Sequence, residues 1–373
     1  MLISAGRVVT PARVFAPGWV LVEGDRVADV GPGVPERDAD VALPDATLVP
    51  GFVDAHAHGG GGASFDTGSV ADAAAATGAH LAHGTTSMMA SLVTAAPDRL
   101  LESVRELAQA ADDGLVAGIH LEGPWLSPRR AGAHDPALLS EPDPALLDAL
   151  LEAGRGHVRM VTLAPELPGG LDAIRRLTAA GVVSAIGHTD ATYDVARAAL
   201  DAGATVGTHL FNAMRALHHR EPGPVAALLE HPDSYVELIA DGVHMHPAAL
   251  RLAAEAKPHL FVLVTDAMAA AAAADGDYRL GRMTVTVRDG VARLAEGGAI
   301  AGSTLTMAAA VKYAVQVAGL PIADVVRAAT SSPAALLHLD RVGSLRPGYR
   351  ADLVVLDEAL DVVRVLHRGH WVA

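Results

Sequence analysis

Two histidines one residue apart, His56 and His58, close the apolar run Leu48-Val49-Pro50-Gly51-Phe52-Val53-Asp54-Ala55. In a strand, positions i and i+2 face the same way, so this run delivers two imidazoles side by side. Paired neutral imidazoles are the beginning of a divalent metal site. Similar endings recur along the chain. They are His120-Leu121-Glu122-Gly123-Pro124, Gly187-His188-Thr189-Asp190, Thr208-His209, Asp241-Gly242-Val243-His244 and Thr265-Asp266-Ala267. Each has a plain structural reading by itself. Glu122 pairs with an arginine, His188 and His209 are hydrogen-bonded core histidines, and Asp266 caps a helix. If one fold brings them to one rim, they form a metal-dependent hydrolytic site.

The elements that would position them are legible. Strands are expected over residues 48–55, 85–93, 115–121, 158–163, 182–186, 205–209, 235–240 and 260–265. Helical stretches at 96–111, 144–153, 171–180 and 194–202 lie between several of them. Alternation of this kind indicates a parallel α/β sheet, and eight units indicate a closed (β/α)8 TIM-type barrel. Such a barrel collects its active-site residues at the C-terminal strand ends. Both termini are instead rich in short alternating strands, with Gly24-Asp25 as a hairpin turn. The expected organisation is a small β-sandwich formed by residues 1–50 and 339–373 around a barrel at 51–338. Residues 275–300 read as a β-hairpin inserted after the eighth strand.

Composition narrows the function classes. A chain of 373 residues fits a barrel of roughly 250 residues plus a smaller module. The absence of cysteine excludes disulfides and thiolate metal sites, leaving His, Asp and Glu as ligands. A formal net charge of -15 without a basic stripe argues against nucleic-acid binding. The N-terminal residues lack a basic start followed by an apolar core, so a cytoplasmic chain is expected. No apolar run reaches the about 18 residues needed to span a bilayer, so no membrane association is expected. The alanine runs 73–76 and 269–274 read as compositional bias.

The constellation resembles the amidohydrolase superfamily and, within it, the N-acetylglucosamine-6-phosphate deacetylases. The carrying motifs are Pro50-Gly51-Phe52-Val53-Asp54-Ala55-His56-Ala57-His58-Gly59, His120-Leu121-Glu122-Gly123-Pro124-Trp125, Gly187-His188-Thr189 and Thr208-His209-Leu210-Phe211-Asn212-Ala213-Met214. Arg220-Glu221-Pro222-Gly223, Ile239-Ala240-Asp241-Gly242-Val243-His244, Thr265-Asp266-Ala267-Met268 and Ala301-Gly302-Ser303 complete the set. The resemblance implies one ion held by Glu122, His188 and His209. A second ion on His56, His58, Glu122 and Asp266 is also open. Zinc is the first choice for these donors, with Fe2+ or Mn2+ as alternatives. No lysine bridges the site, because Lys257 and Lys312 lie away from these strand ends.

The implied reaction is hydrolysis of the acetamide of a phosphorylated N-acetyl amino sugar. Asp266 is the expected proton carrier and His244 the donor to the developing oxyanion. The resemblance further implies that Arg220 binds phosphate in the neighbouring active site of a homodimer. Backbone amides near Asn212 and Ala213 are expected to add donors. Residues 125–134 read as a lid, with His134 touching a sugar hydroxyl. Two alternatives stay open. One is an amidohydrolase acting on N-acetylgalactosamine 6-phosphate or an N-acyl amino acid. The other is a non-catalytic scaffold.

Overall fold

The computed structural model describes residues 1–372. Eight parallel strands follow one another in space as they do in sequence. They are β1 (Phe52–Asp54), β2 (Thr85–Leu92), β3 (Gly118–Glu122), β4 (Val158–Leu163), β5 (Val183–Ile186), β6 (Val206–Gly207), β7 (Tyr235–Ile239) and β8 (Phe261–Val264). The helices that follow them are α1 (Val70–Ala82), α2 (Pro97–Asp112), α3 (Pro144–Ala153), α4 (Gly170–Ala179), α5 (Tyr193–Asp201), α6 (Gly223–Glu230), α7 (Pro247–Ala256) and α8 (Met307–Gln316). This is the (β/α)8 barrel read from the sequence. Strands such as β2 are buried along their whole length, and helices such as α2 bury Leu100, Val104, Leu107 and Ala108 on one stripe. Proline in the first turn starts α2, α3 and α7, and Thr192 caps α5 through Val195 N–H.

The seam between β8 and β1 is closed by a side chain where a regular ladder is lacking. The Asp54 carboxylate accepts Thr265 Oγ1–H at 2.6 Å, Thr265 N–H at 3.2 Å and His56 N–H at 3.3 Å. Backbone bonds then take over at the rim, from Asp266 N–H to His56 O and from His58 N–H to Ala267 O. Burial pushes Asp54 up to about 6 against the hydrogen bonds of Thr265 and His56. The stitch fixes the His56–His58 segment beside Asp266.

Strands from both termini form one separate eight-stranded sheet. Val41–Pro50 lies at its centre, parallel to Leu2–Val9 on one side and antiparallel to Leu353–Leu356 on the other. Gly24-Asp25 makes the expected two-residue turn between Gly18–Glu23 and Arg26–Pro32. The run expected as one strand over 48–55 is therefore divided. Residues 48–50 belong to the terminal sheet and residues 52–54 to the barrel. The crossing is Gly51, where a Cβ would lie 2.2 Å from Thr86 Oγ1. Residues 275–300 also differ from the expected hairpin. Gly276–Leu280, Met283–Arg288 and Val291–Leu294 form a three-stranded antiparallel sheet, because Gly281-Arg282 makes a second tight turn. The alanine run 73–76 lies in α1, and Ala269 and Ala271 accept backbone bonds from Gly62 and Gly61. Small side chains there let two loops touch backbone to backbone. Among the described residues no helix is long and apolar enough to cross a membrane.

The terminal sheet docks on the barrel through a buried ion cluster. Asp352 pairs with Arg350, which bonds Thr86 O and Ser87 Oγ of β2, and it accepts Arg368 N–H at 2.8 Å. Burial opposes the Asp352 charge, but His367, Arg350 and Arg368 N–H overcome it and hold its pKa below the usual value. That stabilisation is complete above the ordinary aspartate pKa of about 4 and fades as pH falls through the lower folded value. Asp352→Ala should cost about 3 kcal/mol at pH 7, because it strands a largely buried Arg350. Urea unfolding measures it. The loss should shrink at pH 3, and an equal loss at both pH values would contradict this role.

Candidate metal centre

Seven donor atoms meet at the C-terminal rim of the barrel. The two oxygens of Glu122, at the end of β3, point in different directions. Oε2 lies 3.1 Å from His58 Nε2 and 3.6 Å from His56 Nε2. Oε1 lies 3.1 Å from His188 Nε2 and 3.0 Å from His209 Nε2. Within each half the imidazoles also approach, with 3.1 Å between His56 and His58 Nε2 and 3.1 Å between His188 and His209 Nε2. Asp266 Oδ1 adds to the first half at 3.3 Å from His58 and 3.5 Å from His56. All six residues are buried. The chain thus brings together every residue expected as a ligand.

The donor set fits divalent cations. Spacings of 3.0–3.6 Å are those between neighbouring ligand atoms around an ion with bonds of about 2.0–2.1 Å. Three rings are also held in the required tautomer. His58 Nδ1–H donates to Ser91 O at 3.1 Å, His188 Nδ1–H to Arg130 O at 2.8 Å, and His56 Nδ1–H to the Glu237 carboxylate at 3.1 Å. Each Nε2 lone pair is thereby turned inward. Protons stand in for cations otherwise. Burial opposes charge on His56 and His58, yet the surrounding carboxylates push His56 well above its ordinary pKa and His58 up to about 9. Burial likewise opposes the Glu122 charge, but His56, His134 and His188 hold it well below the carboxylate range.

The backbone is strained where these residues sit. His188, His209 and Asp266 have φ of 45°, 29° and 49°, a region that non-glycine residues avoid at about 1–2 kcal/mol each. Each strand ends and turns sharply, which aims its last side chain into the centre. Gly302 faces the Asp266 turn, and a Cβ there would lie 2.9 Å from Asp266 O. Ser303 N–H donates to that same oxygen.

A cleft of about 360 Å³ opens over the centre. Asn212, Ala213, His134 and His244 line it, as do Arg129, Arg130 and Ile300. His244 Nδ1–H donates to Asp241 Oδ2 at 2.7 Å; burial opposes its charging, but Asp241 overrides this and raises its pKa. With Nδ1–H committed to Asp241, Nε2 is a donor in the imidazolium form that Asp241 favours. His134 Nδ1 accepts Thr94 N–H, so its Nε2–H faces Glu122 Oε2 at 3.3 Å. Burial pushes His134 down to about 4, against the pull of Glu122, so the ring is neutral, and its Nε2 lies close enough to Glu122 and His188 to join a metal-holding group with them. The Asn212 backbone N–H, expected to face substrate, is spent on His209 O. Trp125, Leu126 and Ser127 are buried, and Ser127 N–H bonds His188 O, so the base of the 125–134 segment is a cleft wall. Arg220 is exposed outside this cleft, its guanidinium 2.8 Å from His219 Nε2.

Several participants escaped the sequence reading. Arg130 holds His188 through its carbonyl and pairs with Asp190 at 2.8 Å, as Arg215 does at 3.1 Å. Beneath the centre, Ser91, His120, Thr162 and Thr208 form a buried hydroxyl–imidazole chain with links of 2.8–2.9 Å. Burial, together with the charge of His56, holds His120 well below its usual pKa, so it is neutral. Glu237 was missed too. Its one signal is a lone carboxylate in the apolar run Tyr235-Val236-Glu237-Leu238-Ile239. Lys257 and Lys312 are occupied elsewhere, by Ser234 and Asp361.

Comparisons with known proteins agree with this architecture. Residues 47–372 match the amidohydrolase family model. The chain is 40% identical over 367 residues to the N-acetylgalactosamine-6-phosphate deacetylase of Escherichia coli O157:H7, covering 94% of this chain and 95% of that one. It is 34% identical to the N-acetylglucosamine-6-phosphate deacetylase of Bacillus subtilis, covering 99% and 96%. The crystal structure of N-acetyl-D-glucosamine-6-phosphate deacetylase from Mycobacterium smegmatis superposes with a TM-score of 0.98 at 51% identity over 100% of both chains. On the family match over most of its length, and on relatives of this identity and coverage, the chain belongs to the amidohydrolase family.

Proposed function

We propose that this protein hydrolyses the acetamide of N-acetyl-D-glucosamine 6-phosphate, giving D-glucosamine 6-phosphate and acetate in amino-sugar catabolism and cell-wall recycling. The observation that carries the reading is Glu122, whose two oxygens each face a histidine pair. Likeness to deacetylases of N-acetyl hexosamine 6-phosphates supplies the substrate class. Glu122, His188 and His209 would hold one divalent ion, and His56, His58 and Asp266 with Glu122 another. Zinc suits the donors best, with Fe2+ or Mn2+ as alternatives. A bound ion lowers the pKa of water toward 7 and polarises the amide carbonyl.

The chain's own groups handle protons and charge. Burial works against the Asp266 charge, but His56 and His58 hold its pKa below the usual carboxylate range, so the group is ionised. Asp266 takes a proton from the attacking water and delivers it to the amide nitrogen as the C–N bond breaks, because an unprotonated amine leaves poorly. His244 Nε2–H meets the oxygen on which charge builds. His134 keeps Glu122 oriented from the cleft wall and presents its ring to the sugar. The phosphate binds Ala213 N–H and, in a cytoplasmic homodimer, Arg220 of the neighbouring chain. Asn212 lines the same turn through its side chain.

Acetate release tests the reading. Turnover of N-acetylglucosamine 6-phosphate should be lost on chelation, return with zinc, and greatly exceed that of unphosphorylated N-acetylglucosamine. Inactive metal-replete protein would overturn it. The Escherichia coli relative makes N-acetylgalactosamine 6-phosphate the second substrate to assay. Asp266→Asn should keep its metal and lose about 10²–10⁴-fold in kcat; an active variant removes Asp266 from proton transfer. Arg220→Ala should raise KM for the phosphorylated sugar by about 10–100-fold, the loss of one or two charge-assisted hydrogen bonds. An equal rise for the unphosphorylated sugar would refute the phosphate contact.

A further inference from the structure

Glu237 is a buried carboxylate for which the proposed reaction has no use. It lies on β7 with no exposed surface, between Val236 and Leu238. Oε2 accepts His56 Nδ1–H at 3.1 Å and His209 N–H at 3.2 Å. Oε1 has no hydrogen-bond partner among the described residues. An apolar side chain would pack this barrel position without leaving an unpaired acceptor, so the carboxylate needs another explanation.

The contacts behind the four imidazoles are unequal. His58 and His188 lean on neutral carbonyls, those of Ser91 and Arg130. His209 Nδ1 has no partner among the described residues. Only His56 has a carboxylate behind it. A carboxylate in that position fixes the ring, makes Nε2 a stronger donor and adds negative charge beside the ion.

Resting on the reading of this rim as a divalent-metal centre, we propose that Glu237 is the positioning residue that secures a separate ion in the His56–His58–Asp266 half. The chain then binds two divalent ions. Glu237 acts through His56 and touches neither substrate nor metal.

The test is metal binding by the purified full chain, using Zn2+ and Co2+ alone in chelator-buffered equilibrium dialysis. Wild type should bind two ions. Glu237→Gln should weaken one of them by about 10–100-fold and leave the other unchanged. The Co2+ absorption spectrum should lose one of its two components. His56→Gln should remove the same ion, and adding Glu237→Gln to it should change nothing further. Should the glutamine variant fail to fold, Glu237→Asp withdraws the carboxylate from both His56 and His209 N–H, and the ion of the His56 half should still weaken more than the other. Two equally tight ions in Glu237→Gln, or weakening of the remaining ion in the His56→Gln background, would overturn the proposal. A wild type with one ion and chelator-sensitive acetate release overturns this inference alone. A wild type with no ion and no turnover overturns the functional reading itself.

Discussion

Four imidazole nitrogens and three carboxylate oxygens share a buried space with neighbouring donors 3.0–3.6 Å apart, and much of the surrounding structure serves that crowding. Lone pairs facing one another at this distance repel, so the arrangement persists only around positive charge. Protons supply it in the metal-free protein, where the carboxylates raise His56 and His58 although burial disfavours their charge. Metal ions supply it better, because an ion accepts several lone pairs and a proton at most two. The outward hydrogen bonds of His56, His58 and His188 keep the rings from turning away.

Such a site needs a rigid frame, and the barrel provides it at local cost. Left-handed backbone at His188, His209 and Asp266 is tolerated because adjacent strand ends over-determine it. Thr189 and Met214 bridge the turns after β5 and β6, and Ala267 is bridged to both Ala57 and Ser303. The Asp54 stitch does the same at the barrel seam, where backbone pairing alone does not close the sheet. Loops contribute as well. Residues 127–134 reach the centre twice, through the Arg130 carbonyl on His188 and the His134 ring on Glu122. Both contacts tie this segment to side chains of the centre.

Much of this was readable in the order of residues. Alternating apolar runs and helical stretches gave the barrel, because a strand buried on both faces must be apolar throughout. His56, His58, Glu122, His188, His209 and Asp266 stood out because each interrupts or ends such a run. Other features were hidden for identifiable reasons. The strand break at Gly51 was invisible because the run stays apolar while passing from one sheet to another. The third strand of the insertion was missed because Gly281-Arg282 is a weak turn signal. The role of Arg130 was illegible because a backbone carbonyl, present in every residue, does the work.

The sequence by itself determined which chemistry this protein can perform. With no cysteine and no lysine at the strand ends, only imidazoles and carboxylates remained to hold an ion, and their placement at strand ends put them on one rim. What the tertiary structure decided was the partnership among them. It divided the Glu122 oxygens between two histidine pairs, turned His134 into a hydrogen-bond donor, and set Glu237 behind His56 across 181 residues of sequence. Periodicity tells which face a side chain takes. Which atom it meets depends on barrel closure, which brings distant strands together at distances no local pattern records.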